Sequence, residues 1–461
     1  MPDYELIIIG AGLSGLAAGI RTARFGKTTL IVDQHHRPGG LNSYYRFQGH
    51  LLETGLHAMT NFAPPGRKRA PLNLLFRQLH LSRRDFPVRE QIGSEIAFPD
   101  ATLHFSNEPD LLQAEVERLF AACAGRFQQL RQAIASHDPF SAAPWQSARG
   151  FVAGHLREPF LENMRFLPLM LYGNAEEDDM ALSQFVIMFR AIFEEGLFRP
   201  ESDMSVFLDM LVKQYEDFGG AIRYRAGVEE ILIEKGCARG VRLTDGSVLE
   251  AKAVLSTAGL PETIRLSGDS GWQAPPASYS GKMSFTETIS LLPDTARASI
   301  RQNRTLIFYN TSEDFHYRRP ETLQDSSWGV ICFPENFTGI EPREFFSVRV
   351  TNPASYPLWR ALSPEAYTEA KASCRKKAVE LSEQYIGSYS QAIVHQDSFT
   401  PLTIERFTRK AEGAVYGSPV KIADGRTPWS NLFIAGTDQG YLGIVGSMLS
   451  GISIVNHHLL H

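Results

Sequence analysis

YELIIIGAGLSGLAAGIRTARFGKTTLIVD, residues 4–33, is the stretch whose reading decides the fold. It opens with an apolar run over residues 6–9, the pattern of a parallel strand buried on both faces. Gly10, Gly12 and Gly15 follow as G-x-G-x-x-G, with Leu13 and Ser14 between the last two. The first glycine lets the chain turn sharply. The second removes a side chain where main chain must approach a diphosphate. The third lets a helix pack closely on its strand, and Gly19 extends that face by a turn. The helix start offers free N–H groups and a positive dipole end to phosphate oxygens. Residues 28–32 form a second strand ending at Asp33, whose carboxylate suits ribose hydroxyls. Strand, glycines, helix, strand and acid in register make one dinucleotide-binding βαβ unit, against the competing reading of a glycine-containing hairpin without ligand.

RPGGLNSYYRFQGHLLETGLH, residues 37–57, decides which dinucleotide. Gly39 and Gly40 make a second glycine turn soon after the acid, and Gly55 makes another after Glu53. A nicotinamide cofactor docks reversibly and needs no such turn. A permanently held flavin benefits from one beside its diphosphate and ribityl chain, so FAD is expected rather than NAD. NLFIAGTDQGYLGIVGSMLSG, residues 431–451, is the second signal. A buried strand over 432–435 runs into a turn at Gly436 with Thr437 and Asp438. A small-residue helix over 443–453 follows, and its start, Gly443, Ile444 and Val445, points N–H groups at a diphosphate or flavin ring.

The opening glycines, the acid, the double glycine, ETGLHAM at 53–59 and the closing segment together resemble the FAD-dependent amine oxidase superfamily, and within it the phytoene desaturase and retinol saturase branch. The likeness is specific at both ends and slight over 95–205 and 266–400. It implies that Val228 lies against the adenine and that the turn at Ala258 and Gly259 lies near the cofactor. The family commonly has Arg or Lys directly after the double glycine; this chain has Leu41.

Both ends belong to one flavin domain, so the middle is inserted. The expected fold is α/β: a Rossmann-like FAD-binding domain (1–95, 205–265 and 401–461) interleaved with a helical insertion (96–204) and a mixed-sheet substrate domain (266–400). Apolar residues recur at three and four over 108–137, predicting a helix; 180–197 and 205–218 read as further helices, the last ended by Gly219 and Gly220. Residues 221–259 read as short strands with a hairpin turn at Asp245-Gly246. Strand-like runs over 306–309, 329–333 and 345–350 and a long helix over 363–385 complete the roof over the flavin.

The 461 residues carry a net charge of −5, which gives no overall field for nucleic acid. Four scattered cysteines form no CxxC pair, so neither a disulfide framework nor a metal site is expected, and a reducing cytoplasm is the plain reading. The apolar segments at 6–20 and 441–455 are too glycine-broken, and the second too short, to span a bilayer.

In this reading flavin carries the chemistry by hydride transfer at N5, and no acid–base triad is expected. His57 is the candidate for proton transfer near neutrality, against the reading of a histidine that only bonds main chain. Tyr441 could line the ring face or simply pack. FLENMRFLPLMLYG (160–173) and FVIMFRAIFEEGLF (185–198) are rich in Phe, Met and Leu; they serve as core, as a greasy channel mouth or as a membrane-dipping face. Arg67, Lys68 and Arg69 lie in a proline-bounded loop: a solvated loop, or a contact for lipid headgroups or a substrate phosphate. The expected function is an FAD-dependent oxidoreductase that adds or removes hydrogen at carbon–carbon bonds of a long apolar, carotenoid-like or acyl substrate. A flavin amine oxidase and a non-redox FAD isomerase or scaffold are the alternatives. No second GxGxxG follows a strand, so electrons are expected to pass to or from quinone, oxygen or another protein. The expected location is the cytoplasm, either free or peripheral on the inner face of a membrane.

Overall fold

The computed structural model describes residues 2–55, 58–141, 143–268, 271–272, 277–301 and 303–460. His57 therefore lies outside the described residues.

The apolar run becomes the strand Tyr4–Ile9, which sits centrally and pairs in parallel with Thr29–Val32 on one side and Val248–Ser256 on the other. Ile9 stands opposite Val32 and Ser256. Outward from these, Ala221–Arg223 adds in parallel beyond Thr29–Val32, and Leu432–Ile434 adds in parallel to the far half of Val248–Ser256. The near half of Val248–Ser256 continues as an antiparallel meander through Cys237–Leu243 and Val228–Glu234. The hairpin expected at Asp245-Gly246 is present: Gly246 has φ +83° and donates to Leu243 O at 2.9 Å.

Side chains alternate across this sheet. Leu6, Ile8 and Leu255 pack against four helices, Leu13–Ala23, Pro71–Leu79, Met204–Asp217 and Gly443–Ile454. Ile7, Ile9 and Val254 pack against the meander. The opening helix (Leu13–Ala23) and the closing helix (Gly443–Ile454) touch main chain to main chain: a Cβ on Gly451 would stand 2.2 Å from Ser14 O. The two ends of the sequence thus meet in one core.

A second seven-stranded sheet runs in the order His395–Phe399, Ser284–Pro293, Phe345–Ala354, Trp328–Cys332, Leu306–Asn310, Ser94–Phe98, Ala101–Phe105. It is mixed, since Leu306–Asn310 lies parallel to Ser94–Phe98 and the other neighbours are antiparallel. The strands at 94–105 draw this sheet from both sides of the expected division at 95/96. One face carries the long helix Pro364–Ile386, capped by the Ser363 side chain. The other packs the helical segment, including Pro159–Gly173 and Leu182–Phe189, in one apolar cluster.

Two expected helices differ in detail. The stretch 108–137 is two helices, Pro109–Leu119 and Ala124–Ser136, joined by a tight turn at Ala121–Cys123. Phe120 leaves the helical region (φ −131°), and its ring lies 6.1 Å from that of Phe160, so packing rather than a Gly or Pro sets the break. The stretch 180–197 is α-helical only over Leu182–Phe189; it widens into a π-helical turn at Arg190–Glu194 and ends in the strand Leu197–Pro200.

Candidate functional site

At the carboxyl ends of Tyr4–Ile9 and Thr29–Val32, the chain builds a crevice from bare main chain. Gly10 turns at φ +105°; a side chain there would strike Thr257 Oγ1, 2.5 Å from its Cβ. A Cβ on Gly15 would stand 2.0 Å from Gly10 O, so the helix closes onto its own strand only with glycine. Gly12 differs from both: among the described residues, no packing neighbour lies within 4 Å of the Cβ it lacks. Protein packing therefore does not explain this glycine. It caps the opening helix without any side-chain hydrogen bond, leaving the first-turn N–H groups directed outward.

The double glycine lies against this loop. Gly39 donates its N–H to Ala11 O at 2.9 Å, and a Cβ on Gly40 would be 3.5 Å from Gly12 Cα. Leu41 follows within the short turn Gly40–Asn42, its carbonyl held by Thr54 Oγ1 at 2.8 Å. Asp33 accepts from the N–H of Ala11 at 2.6 Å and of His35 at 2.7 Å. Burial pushes its carboxyl above the ordinary range, and those two N–H groups pull it back. Each oxygen keeps a lone pair for a further donor. Ala226 donates to Asp33 O at 2.8 Å, which brings the segment leading to Val228 beside the acid.

The closing segment completes the crevice. Gly436 (φ +105°) stands beside Ser14: its Cβ would be 3.9 Å from Ser14 Oγ. Ser14 Oγ is buried without a hydrogen-bond partner among the described residues. Gly436 N–H donates to Ser450 Oγ at 2.7 Å, fixing the turn to the closing helix. At the start of that helix no side chain caps Gly443 and Ile444, while Val445 is fully buried in the core. Asp438, 1% exposed, does not point free into the crevice. Its oxygens accept from Leu260 N–H at 2.6 Å and Ser418 N–H at 2.8 Å. It holds the turn at Gly259 (φ +119°), where a Cβ would lie 2.3 Å from both Lys410 Nζ and Glu262 Oε2. Thr257 and Lys421 were not singled out from sequence. Thr257 Oγ1 ties the Gly10 turn through Ile9 O at 2.8 Å. Lys421 is held below the ordinary lysine range by burial, opposed by Asp438.

The sequence and the fold are matched by known proteins. A sequence profile of the family described as flavin containing amine oxidoreductase matches residues 13–456. The chain belongs to this family. Its cofactor is FAD. A phytoene desaturase (lycopene-forming) of Pseudescherichia vulneris is 27% identical over 292 residues, 57% of this chain and 57% of that relative. A chloroplastic prolycopene isomerase of Arabidopsis thaliana is 22% identical over 461 residues, 90% of this chain and 74% of the relative. The chain thus spans little more than half of the first relative's length. An oxidoreductase from Methanosarcina mazei shares the fold, with a TM-score of 0.66 at 15% identity, over 98% of this chain and 99% of that one.

The residues present fit the cofactor. The open space at Gly12, the uncapped helix start and the unpartnered Ser14 hydroxyl are the three features that a diphosphate would satisfy at once. Among the described residues, no helix is long and apolar enough to cross a membrane.

Proposed function

We propose that this chain is an FAD-dependent oxidoreductase acting on carbon–carbon bonds of a long hydrophobic substrate, carotenoid, isoprenoid or acyl, by desaturation or saturation. In this proposal residues 1–95, 205–265 and 401–461 bind FAD, 96–204 form the helical insertion and 266–400 bind substrate. Gly10, Gly12, Leu13, Ser14, Gly15, Gly40, Leu41 and Gly436 hold the diphosphate side through main chain and hydroxyl. Asp33 and Val228 hold the adenosine side. Gly443, Ile444 and Val445 present N–H groups to the ring side. Gly259 and Asp438 act by shaping the turns around it. Bound FAD would supply a ring that accepts or gives hydride; the protein holds the substrate against it and excludes water.

The observation that carries this reading is the apolar core that reaches the start of the closing helix. Leu442, the residue before Gly443, belongs to the same cluster as Tyr172, Phe308 and Met188, and a Cβ on Gly173 would be 3.0 Å from Leu442 Cδ1. The helical segment and the inner face of the second sheet are thus packed as one hydrocarbon core up to the residue before that helix. That suits a polyene better than a small amine. The names of the carotenoid-acting relatives support the same substrate class. A non-redox isomerisation is the second reading, favoured by the prolycopene isomerase match across 90% of the chain.

The test is anaerobic mixing of the FAD-loaded protein with phytoene, prolycopene or a polyamine. Flavin bleaching with phytoene supports desaturation. Isomerised prolycopene without net bleaching supports the second reading. Bleaching by the amine alone rules out both.

A further inference from the structure

A cavity of about 250 Å³ lies where three parts of the chain meet, and none of the described residues that line it belongs to the cofactor crevice. One side is the hairpin of Tyr44–Phe47 and His50–Glu53. A second is the second sheet, at Ser284–Pro293 and Phe345–Ala354, on the face where Ile289 and Arg349 stand. The third is the strand Leu197–Pro200 and the residues up to Asp203. Ligand cavities concentrate at such meeting points.

The walls are of two kinds. Leu52, Ile289, Leu291 and Phe345 pack as one apolar cluster along the cavity. Most of the polar wall is already engaged. Arg199 donates Nε to Pro200 O at 3.3 Å, Nη1 to Pro334 O and Nη2 to the Glu53 carboxylate at 3.4 Å. Glu53 also accepts the Met204 N–H at 2.6 Å. Glu335 accepts from the N–H and the hydroxyl of Ser347, each at 3.1 Å. Glu201 pairs with Arg89 at 2.9 Å, and Asp203 caps the helix Met204–Asp217. Arg349 differs. It lines the cavity and is 2% exposed. Its Nη2 donates to Glu53 O at 3.1 Å and pairs with Glu287. Its Nε is buried without a hydrogen-bond partner, and its Nη1 donates to no described residue. Buried N–H groups without an acceptor are costly, so this guanidinium calls for an oxygen from a ligand.

Charge selects the kind of oxygen. The described lining carries three arginines and five carboxylates, and Glu287 neutralises Arg349. That balance repels an anion. A cation would meet the buried Arg199 and Arg349. An uncharged acceptor on an apolar body satisfies both walls. We infer that this cavity binds an apolar group carrying an uncharged carbonyl or hydroxyl oxygen, which Arg349 holds. The volume falls below the roughly 300–1,000 Å³ of pockets for drug-sized ligands, so the cavity takes a ring-sized group and not a whole long chain. That group is either the oxygenated end of the hydrophobic substrate, which rests on the function proposed above, or a separate small ketone or alcohol, which does not.

The test is calorimetric titration of the FAD-loaded protein with β-ionone as the ketone, geranic acid as the anion and limonene as the hydrocarbon. β-Ionone should bind with a dissociation constant on the order of 100 μM, about tenfold tighter than either of the others. Arg349→Lys keeps a charge for Glu287 but loses the planar fork, and should weaken β-ionone about tenfold. Ile340 lines the cavity and is half-buried, so Ile340→Trp fills it from the rim; this variant should melt like the wild type and bind no β-ionone. Displacement of β-ionone by a keto-ended polyene assigns the cavity to the substrate's end. Displacement by small ketones alone assigns it to a separate molecule, and a polyene that also leaves the flavin unbleached counts against the proposed function and not against the cavity. No β-ionone binding to the wild type, geranic acid binding as tightly as the ketone, or wild-type affinity in Ile340→Trp would overturn the inference.

Discussion

The Asp438 carboxylate and the Leu260 main-chain N–H meet at 2.6 Å, and the other Asp438 oxygen takes the Ser418 N–H at 2.8 Å. One buried acid thus joins the closing turn to two distant loops. An amide accepts at only one end, so Asp438→Asn sets an NH2 against a buried N–H. The apoprotein should lose about 2 kcal/mol, read as a lower denaturation midpoint, with FAD affinity falling as a consequence. A variant of unchanged stability would show that the loops are held by other contacts.

Glu115 gives a pH-dependent counterpart far from the crevice. It accepts from both Arg118 and the His104 N–H, tying the helix Pro109–Leu119 to the strand Ala101–Phe105. The hydrogen bond from Arg118 holds its carboxyl below the ordinary range, with smaller help from His104. A lowered value in the fold means stability present above the unfolded value and lost as pH falls through the folded one. Thermal melts of wild type and Glu115→Gln should therefore differ at neutral pH and converge in acid. A gap that widened on acidification would reverse the sign and reject this account.

Exposed aromatic residues and an exposed basic loop are the two surface features that suit a bilayer. Phe140 and Trp145 are 62% and 56% exposed, and the Phe140 ring lies 5.3 Å from that of Tyr441. Arg67, Lys68 and Arg69 are exposed in the loop after Asn61. If substrate arrives from a bilayer, these are the residues expected to meet it. Cosedimentation with vesicles containing anionic lipid should fall about fivefold in Phe140→Ser/Trp145→Ser, and further with the loop cations replaced. Equal binding by wild type and variants would remove the membrane from the account.

Much of the flavin half was legible because its constraints are local. A glycine at 15 reports a helix packed so closely on its strand that a Cβ would stand 2.0 Å from Gly10 O, which leaves no alternative residue. Asp33 was legible from its place at a strand end. The role of Asp438 was not: its partners, Leu260 and Ser418, are remote in sequence. The strands Ser94–Phe98 and Ala101–Phe105 were hidden for the same reason, since their partner Leu306–Asn310 lies two hundred residues on. The turn between them, Pro99-Asp100, is a usable signal. Glu194 and Glu195 carried another. Two acids at a helix end oppose the dipole there, so such a pair asks for specific partners. The structure supplies Arg131 to one and Asn61 to the other.

The central claim is that the opening glycines clear main chain for a dinucleotide, and Gly12 isolates it. Gly15→Ala collides with Gly10 O and should damage the fold itself. Gly12→Ala meets no packing neighbour within 4 Å among the described residues, at an extended backbone position (φ −71°, ψ 175°) that alanine adopts freely. The direct measurement is the FAD dissociation constant of the Gly12→Ala apoprotein beside its melting temperature. The account predicts an unchanged melting temperature with FAD bound at least about a hundredfold more weakly, the cost of a methyl group set between main chain and diphosphate. FAD bound as tightly as by the wild type would contradict it.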